Sequence, residues 1–356
     1  MDIPMLRRRL GRALGRDRRW LSERIAREAT PPPRPAAQVV MYAMSRADLG
    51  GNGKVSPAMY YPFFGQVLRR RNVALRLAFS AKELRRMYGD GIPTVVVCLY
   101  KEDAEDHDTP AHADAVAPAD LVFNPTDIGR IIGDKHATHA HLAAAGIPMP
   151  KLATDATGPI LSNAATGSGG AVQIVDGDGE LDPSRYNAAF VDTRVPFEGE
   201  TYYTTLRMLS VGRHVVSVYP RARPVHEGPN VRNKVTPRDP RLLDHLIETQ
   251  IEPSWERLER LAAELAGVCG ASFLGSDLLV EAGTGALHVC EPNFKLNDQH
   301  FHNRFADLAP RMRRPCVALS AKATAEASAL AFLACCADHG QAWAEADAPR
   351  PDALAH

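Results

Sequence analysis

"FLGSDLLVEAGTGALHVCEPNF", residues 273–294, reads as two apolar strand runs joined by a glycine-rich turn. A hairpin built only for a core would need no polar side chains. Here Asp277 lies in the first run, Glu291 closes the second, and Asn293 follows two residues later. Folding the runs together through the turn brings the two carboxylates side by side, with an amide oxygen just beyond. Either these groups form ion pairs at a sheet edge or they serve a ligand.

Immediately upstream, residues 241–271 carry a helical pattern and predict one long helical stretch. Before it, "AAFVDTRVPFEGETYYTTLRMLSVGRHVVSVYPRARP", residues 188–224, predicts a long antiparallel run with hairpin turns at "EGE" and "SVGR". "PILSNAATGSGGAVQIVD", residues 159–176, reads as strand, glycine turn, strand. Its tip, Gly167, Ser168, Gly169 and Gly170, is either a plain hairpin end or a loop whose backbone N–H groups close over phosphates. Residues 124–153 predict a helix capped by Thr126 or Asp127 and a second helix carrying Lys135, His136, His139 and His141. Those histidines lack the i, i+4 spacing of a zinc helix and are read as solvated.

Further outward, "QVVMYAM", "VALRLAF", "PTVVVCLY" and "ADLVFN" are apolar runs separated by amphipathic, helix-length pieces. That alternation over residues 36–125 predicts a small parallel sheet with helices on its faces. "SRADLGGNGKVS" after the first strand fails as a phosphate loop, since the first glycine is missing and Val55 stands where Ser or Thr is needed; it is either a substrate loop or a plain turn. At the N-terminus, "MLRRRLGRALGRDRRWLSERIARE" sets nine arginines against three acids along one leucine-rich stripe. This predicts a basic amphipathic helix, followed by a proline-rich linker, that either touches an acidic partner, RNA or a membrane surface or docks on the body or on a second subunit, so that a homodimer is one expected arrangement. The C-terminal "CVALSAKATAEASALAFLACCADHG" predicts an alanine-rich helix that packs.

With 42 basic and 42 acidic side chains the net charge is zero, which gives no support to a nucleic-acid partner. The six cysteines have no CxxC spacing and suit reduced, buried thiols. No run is apolar and long enough for a membrane span, and the expected location is the cytoplasm.

The order of these pieces resembles the ATP-grasp ligases. The resemblance rests on "DK..T...L...GIP.P", the glycine-tipped hairpin, the strand "LRMLSVGRHVVSVYPR" and the closing "G.D.......G...V.E.N", and it covers roughly residues 36–310. It implies an α/β chain with an α+β central part. The expected division is an arginine-rich helix and linker (1–35), an N-terminal α/β domain (36–125), an ATP-grasp domain (126–310, with a glycine-loop subdomain over about 147–235) and a helical segment (311–356).

The resemblance also implies ATP and Mg2+ as cofactors. Asp277, Glu291 and Asn293 are then the magnesium ligands, oxygen donors of the kind a hard cation takes alongside nucleotide phosphates. Lys135, the 167–170 loop and Asn230 fall where the family holds the nucleotide. Arg207, Arg221 and Lys234 fall where it meets the transferred phosphoryl group or the substrate carboxylate. One departure stands out: a lysine usual on the strand before the glycine loop is replaced by Ser162 or Asn163, with Lys151 a candidate substitute. The implied reaction joins a small-molecule or peptide carboxylate to an amine through an acyl phosphate. A kinase on the same scaffold and a non-catalytic nucleotide-binding protein are the alternatives. The polar run Lys295–Arg304 is either a loop or an acceptor-substrate segment.

Overall fold

The structure is a computed structural model and describes residues 32–43, 65, 67–78, 80–99, 110–155, 158–165, 172–175, 181–231, 239–294 and 321–345. The N-terminal arginine-rich segment, the "GGNGK" loop, the 167–170 tip, Lys234 and the 295–304 run lie outside the described residues.

Strands β1 (Ala37–Ala43), β2 (Val73–Ala78), β3 (Thr94–Leu99) and β4 (Leu121–Phe123) form a parallel sheet in the order β2-β1-β3-β4. The central strands are apolar on both faces: Val39, Val40, Met41, Val95, Val96 and Val97 are all fully buried. Unbroken valine runs of this kind suit a sheet covered by helices on each side. Helix α1 (Ala81–Met87) starts at Ser80, whose hydroxyl accepts from the Glu83 N–H at 3.2 Å. Helix α2 (Pro110–Val116) follows β3.

Helices α3 (Thr126–Gly133) and α4 (Lys135–Ala144) come next. The expected side-chain cap at Thr126 or Asp127 is not formed: Pro125 occupies the cap position, and no side chain accepts there. Proline's fixed φ sets the entry angle, so Thr126 is already the first helical residue. Asp134 caps α4 instead, accepting from the Ala137 N–H at 2.8 Å.

A three-stranded antiparallel sheet follows, ordered β6-β5-β7 from β5 (Ile160–Ala164), β6 (Gln173–Val175) and β7 (Arg185–Ala189). Strands β8 (Arg194–Phe197), β9 (Glu200–Val211) and β10 (His214–Pro224) do not continue it. They join β11 (Phe273–Val280) and β12 (Leu287–Glu291) in a second antiparallel sheet ordered β10-β9-β11-β12, with β8 on β9. The strands expected to form one glycine-loop unit up to residue 235 are thus divided between two sheets. The cause is pairing: β9 is long enough to take β8 and β10 and still run antiparallel to β11 from Leu206 to Val211. Glu198 and Gly199, both at positive φ (47° and 84°), make the tight β8–β9 turn.

The predicted long helix is broken into α5 (Pro240–Leu246), a π-helical turn (Ile247–Ile251), a 3-10 turn (Glu252–Ser254) and α6 (Trp255–Cys269). Pro253 has no N–H for an i−4 carbonyl, which interrupts the ladder there. The C-terminal helix α7 (Ala321–Asp338) packs as expected: Phe332 sits 4.7 Å from Phe123 and 5.9 Å from Phe273, ring to ring, and ties β4 to β11.

Asn124 makes the other tie. It is buried, holds φ at 55°, donates from Nδ2 to the Cys98 carbonyl (3.1 Å), and accepts at Oδ1 from the Phe273 N–H (2.8 Å). Its own N–H donates to the Ala271 carbonyl at 3.0 Å. One side chain therefore joins the parallel sheet to the first residue of β11. Asn124→Ala would leave a buried donor and a buried acceptor unpaired and should cost about 2–4 kcal/mol, measured by urea unfolding.

Candidate functional site

β11 and β12 are paired with a bulge. Asp277 stands opposite Glu291, whereas Leu278 stands opposite Val289, so Cys290 is the extra residue. Beyond the bulge the pairing continues, with Gly275 and Asn293 exchanging backbone hydrogen bonds of 2.8 and 3.1 Å. The bulge has a chemical consequence. Side chains alternate along a strand, so without it Glu291 would share the face of Val289, opposite to Asp277. With it, Gly275, Asp277, Glu291 and Asn293 share one face. Burial and the charges of Glu291 and Asp277 push the Cys290 thiol far up, which keeps it protonated.

Arg207 on β9 is the register partner of Asp277, and Arg221 on β10 lies two residues beyond Tyr219, the partner of Arg207. Both guanidinium groups donate to one carboxylate oxygen: Arg207 Nη1 to Asp277 Oδ1 at 2.8 Å, and Arg221 Nη1 to the same oxygen at 3.0 Å. The arginine side chains are 0% and 2% exposed, while Asp277 keeps 19% of its side chain accessible. At the next position in the row, Lys135 Nζ lies 3.6 Å from Glu291 Oε2, and Asn293 Nδ2 lies 3.5 Å from Glu291 Oε1. Lys135 also donates its backbone N–H to the Ala165 carbonyl at 3.0 Å. The start of α4 therefore links the end of β5, where the glycine tip begins, to the charged row.

Lys135, Arg207, Arg221, Asp277, Glu291 and Asn293 are thus gathered on one sheet face. Asn230 is not brought to them among the described residues; its carbonyl accepts from Arg223 at 3.0 Å. Gly167, Ser168, Gly169, Gly170 and Lys234 lie outside the described residues. Lys151 is exposed, and Ser162 is occupied by Arg185, whose Nε donates to its hydroxyl at 2.8 Å.

His139 corrects the reading of solvated histidines. It is buried, with Nδ1 2.9 Å from the Tyr186 hydroxyl, because α4 lays this side against β7. Burial first, and the neighbouring His136 second, lower its pKa below 6.5.

The cluster holds three cations and two carboxylates, and that excess suits a polyanion. Among the described residues no three His, Cys, Asp or Glu side chains group to hold a metal unaided. Asp277, Glu291 and the Asn293 amide oxygen fit a magnesium ion only when ligand oxygens such as phosphates complete its octahedron. The partial exposure of both carboxylates leaves room for that.

Gly275, the glycine of the "G.D" motif, has a structural role that sequence reading missed. A Cβ there would lie 2.3 Å from Arg207 Nη2 and 2.6 Å from its Cζ, so Arg207 lies flat across a glycine. The signal was present as the glycine two residues before Asp277.

No protein-family model matches the chain, and no curated protein matches it. Among solved structures it is similar to the ATP-grasp ligase PsnB complexed with a phosphomimetic variant of minimal precursor, Mg and ADP (13% identity, 85% of this chain and 99% of that one, TM-score 0.47). It is also similar to a RimK domain protein ATP-grasp from Sphaerobacter thermophilus (16%, 83% and 100%, TM-score 0.44). A third likeness is to D-alanine–D-alanine ligase from Bacillus anthracis complexed with ATP (12%, 86% and 100%, TM-score 0.42). Two of the three are described as ATP-grasp proteins, the family that the sequence motifs resemble.

Gly275→Ala should displace Arg207 from Asp277 and leave a buried charge badly compensated, at a cost of about 3–5 kcal/mol in chemical unfolding. For His139, the unfolded state takes up its proton more readily than the fold. Stability should therefore fall as pH drops below 6.5, and urea titrations should show that this part of the dependence disappears in His139→Phe.

Proposed function

We propose that this chain is an ATP-grasp enzyme that uses magnesium-bound ATP to join a carboxylate to an amine. The observation that supports this best is the single row in which Asp277 is held by Arg207 and Arg221 while Glu291 is paired with Lys135. Such a row offers cations to phosphate oxygens and carboxylates to the metal that accompanies them.

In this reading Lys135 meets an inner phosphate, and the backbone N–H groups of residues 167–170, with Asn230, hold the rest of the triphosphate. Arg207, buried against Asp277 and Gly275, fixes the Asp277 carboxylate and places its positive charge beside the transferred phosphoryl group or the substrate carboxylate. Arg221 and Lys234 offset the charge that spreads over the equatorial oxygens. Magnesium, when bound by Asp277, Glu291 and Asn293, offsets charge on the phosphates.

A carboxylate oxygen attacks the terminal phosphorus and ADP leaves, giving an acyl phosphate. The amine then attacks the carbonyl carbon, loses a proton, and expels phosphate. No side-chain nucleophile takes part; the protein contributes position and preorganised charge. The carboxylate and amine belong to small molecules or peptides, as in natural-product or peptide-modifying biosynthesis.

Screening pooled carboxylates and amines should detect ADP and phosphate only when both substrates are present, with the amide seen by mass spectrometry. A phosphorylated product formed without amine would instead establish a kinase. Asp277→Asn and Glu291→Gln should each lower turnover by about 100-fold or more. Unchanged magnesium-dependent ATP binding in Asp277→Ala and Glu291→Ala would refute the assignment.

A further inference from the structure

The solvent side of α6 is divided in character. Glu256, Glu259, Ala263, Ala266, Gly267 and Gly270 recur at helical spacing on the side turned away from the core, and all are exposed or partly exposed. The first half of this stripe is acidic, with Glu264 beside it and Arg260 the cation on that side. The second half carries almost no side chain. There the last turn of α7 and the β9–β10 turn stand alongside α6 and enclose a cleft of about 350 Å³. Ala263, Ala266, Gly267, Gly270 and Gly212 form its floor, and Cys335 and Asp338 its far wall. That wall is fixed. Asp338 accepts from Arg213 Nη2 at 2.9 Å and lies 3.0 Å from His214 Nε2, while Cys335 sits so close to Gly212 that a Cβ there would be 2.5 Å from its sulfur.

A floor of alanine and glycine admits bulky apolar side chains from an opposing helix, because the two backbones can approach closely. The chain holds one segment of matching character. Leu6, Leu10, Leu14, Leu21 and Ile25 share one stripe of the 5–28 segment, whose nine arginines outnumber three acids. Charge is divided in the same sense along the whole chain: residues 1–100 hold 19 Lys and Arg against 7 Asp and Glu, and residues 101–356 hold 23 against 35. The arginine-rich segment therefore meets a body of opposite charge. It also has the reach. Ala37, the first residue of β1, belongs to the same buried cluster as Phe332 and Cys335. Met41 is level with Val97 and Phe123 in the parallel sheet, and Asn124 donates its N–H to the Ala271 carbonyl at the foot of the cleft. The start of β1 is thus roughly 13 Å along the strands and 10 Å across them from Phe123. A helix over residues 5–28 would be roughly 36 Å long.

We propose that the cleft between α6 and the last turn of α7 is the docking site of the chain's own N-terminal segment: the leucine stripe of residues 5–28 fills the alanine and glycine floor, and its arginines lie against Glu256, Glu259 and Glu264. The docking does not depend on the nucleotide reading of the charged row. Its consequence is mechanical. α6 leads into β11, and Gly212 joins β9 to β10, so the docked segment braces the elements whose strands carry Asp277, Arg207 and Arg221.

Hydrogen exchange and brief trypsin digestion, both read by mass spectrometry on the full chain, test this from two sides. Leu10→Asp with Leu14→Asp breaks the apolar stripe and should speed exchange of the 263–270 amides about tenfold, with the amides of β1 and β3 unchanged. Ala263→Trp fills the cleft from an exposed position and should speed cleavage after Arg7 to Arg27 about tenfold. Glu256→Gln with Glu264→Gln removes two charges without adding bulk and should speed that cleavage about threefold, the scale of two exposed ion pairs. Slow exchange at 263–270 that survives Leu10→Asp with Leu14→Asp would mean that another segment covers the cleft, and would overturn the proposal. Wild-type cleavage rates in Ala263→Trp would overturn it from the other side. A dimeric mass in light scattering that reverts to monomer in Leu10→Asp with Leu14→Asp would seat the segment in a second copy and refute docking within one chain. Protection of residues 7–27 that arises only when RNA or anionic vesicles are added would refute it equally.

Discussion

The carboxylate of Asp277 organises this protein. Two arginines from two different strands, each at most 2% exposed, converge on one of its oxygens. Buried guanidinium groups are tolerated only where charge and hydrogen bonds compensate them, and Asp277 is where that compensation occurs. The demand fixes more than a contact. It requires β9 between β10 and β11, it requires Arg207 and Asp277 in register, and it requires a glycine at 275 so that the guanidinium can lie against backbone.

Around that centre the molecule is arranged to bring distant segments to one face. The start of α4 is held by Asp134 and by the Ala165 carbonyl, which delivers Lys135 to Glu291 from more than a hundred residues away. The Cys290 bulge turns Glu291 to the side of Asp277. Asn124 and the Phe123–Phe273–Phe332 cluster anchor β11 on the parallel sheet, so the strand bearing Asp277 is braced at its beginning. Rigid placement of this kind suits chemistry that depends on positioned charge.

Much of this was legible in the chain. Valine-rich runs with intervening helices read as a parallel sheet, because burial on both faces removes the polar alternation. The hairpin turns at Glu198–Gly199 and Gly212–Arg213 were visible through their glycines. The helix start at Pro125 was not, since Thr126 and Asp127 are equally good caps in isolation and only the backbone angle at Pro125 separates them. Nor was the burial of His139, which depends on Tyr186 arriving from β7.

The sequence by itself determined which oxygen-bearing and cationic residues were available, and their order, because hydrophobic periodicity and turn chemistry are local properties. Only the tertiary structure decided how they combine. Asp277 and Glu291 share a face through a bulge that no periodicity signals, and Asp277 collects Arg207 and Arg221 together. The division of β5–β7 from β8–β12 depends on which long strand pairs with which, a choice made by non-local registry.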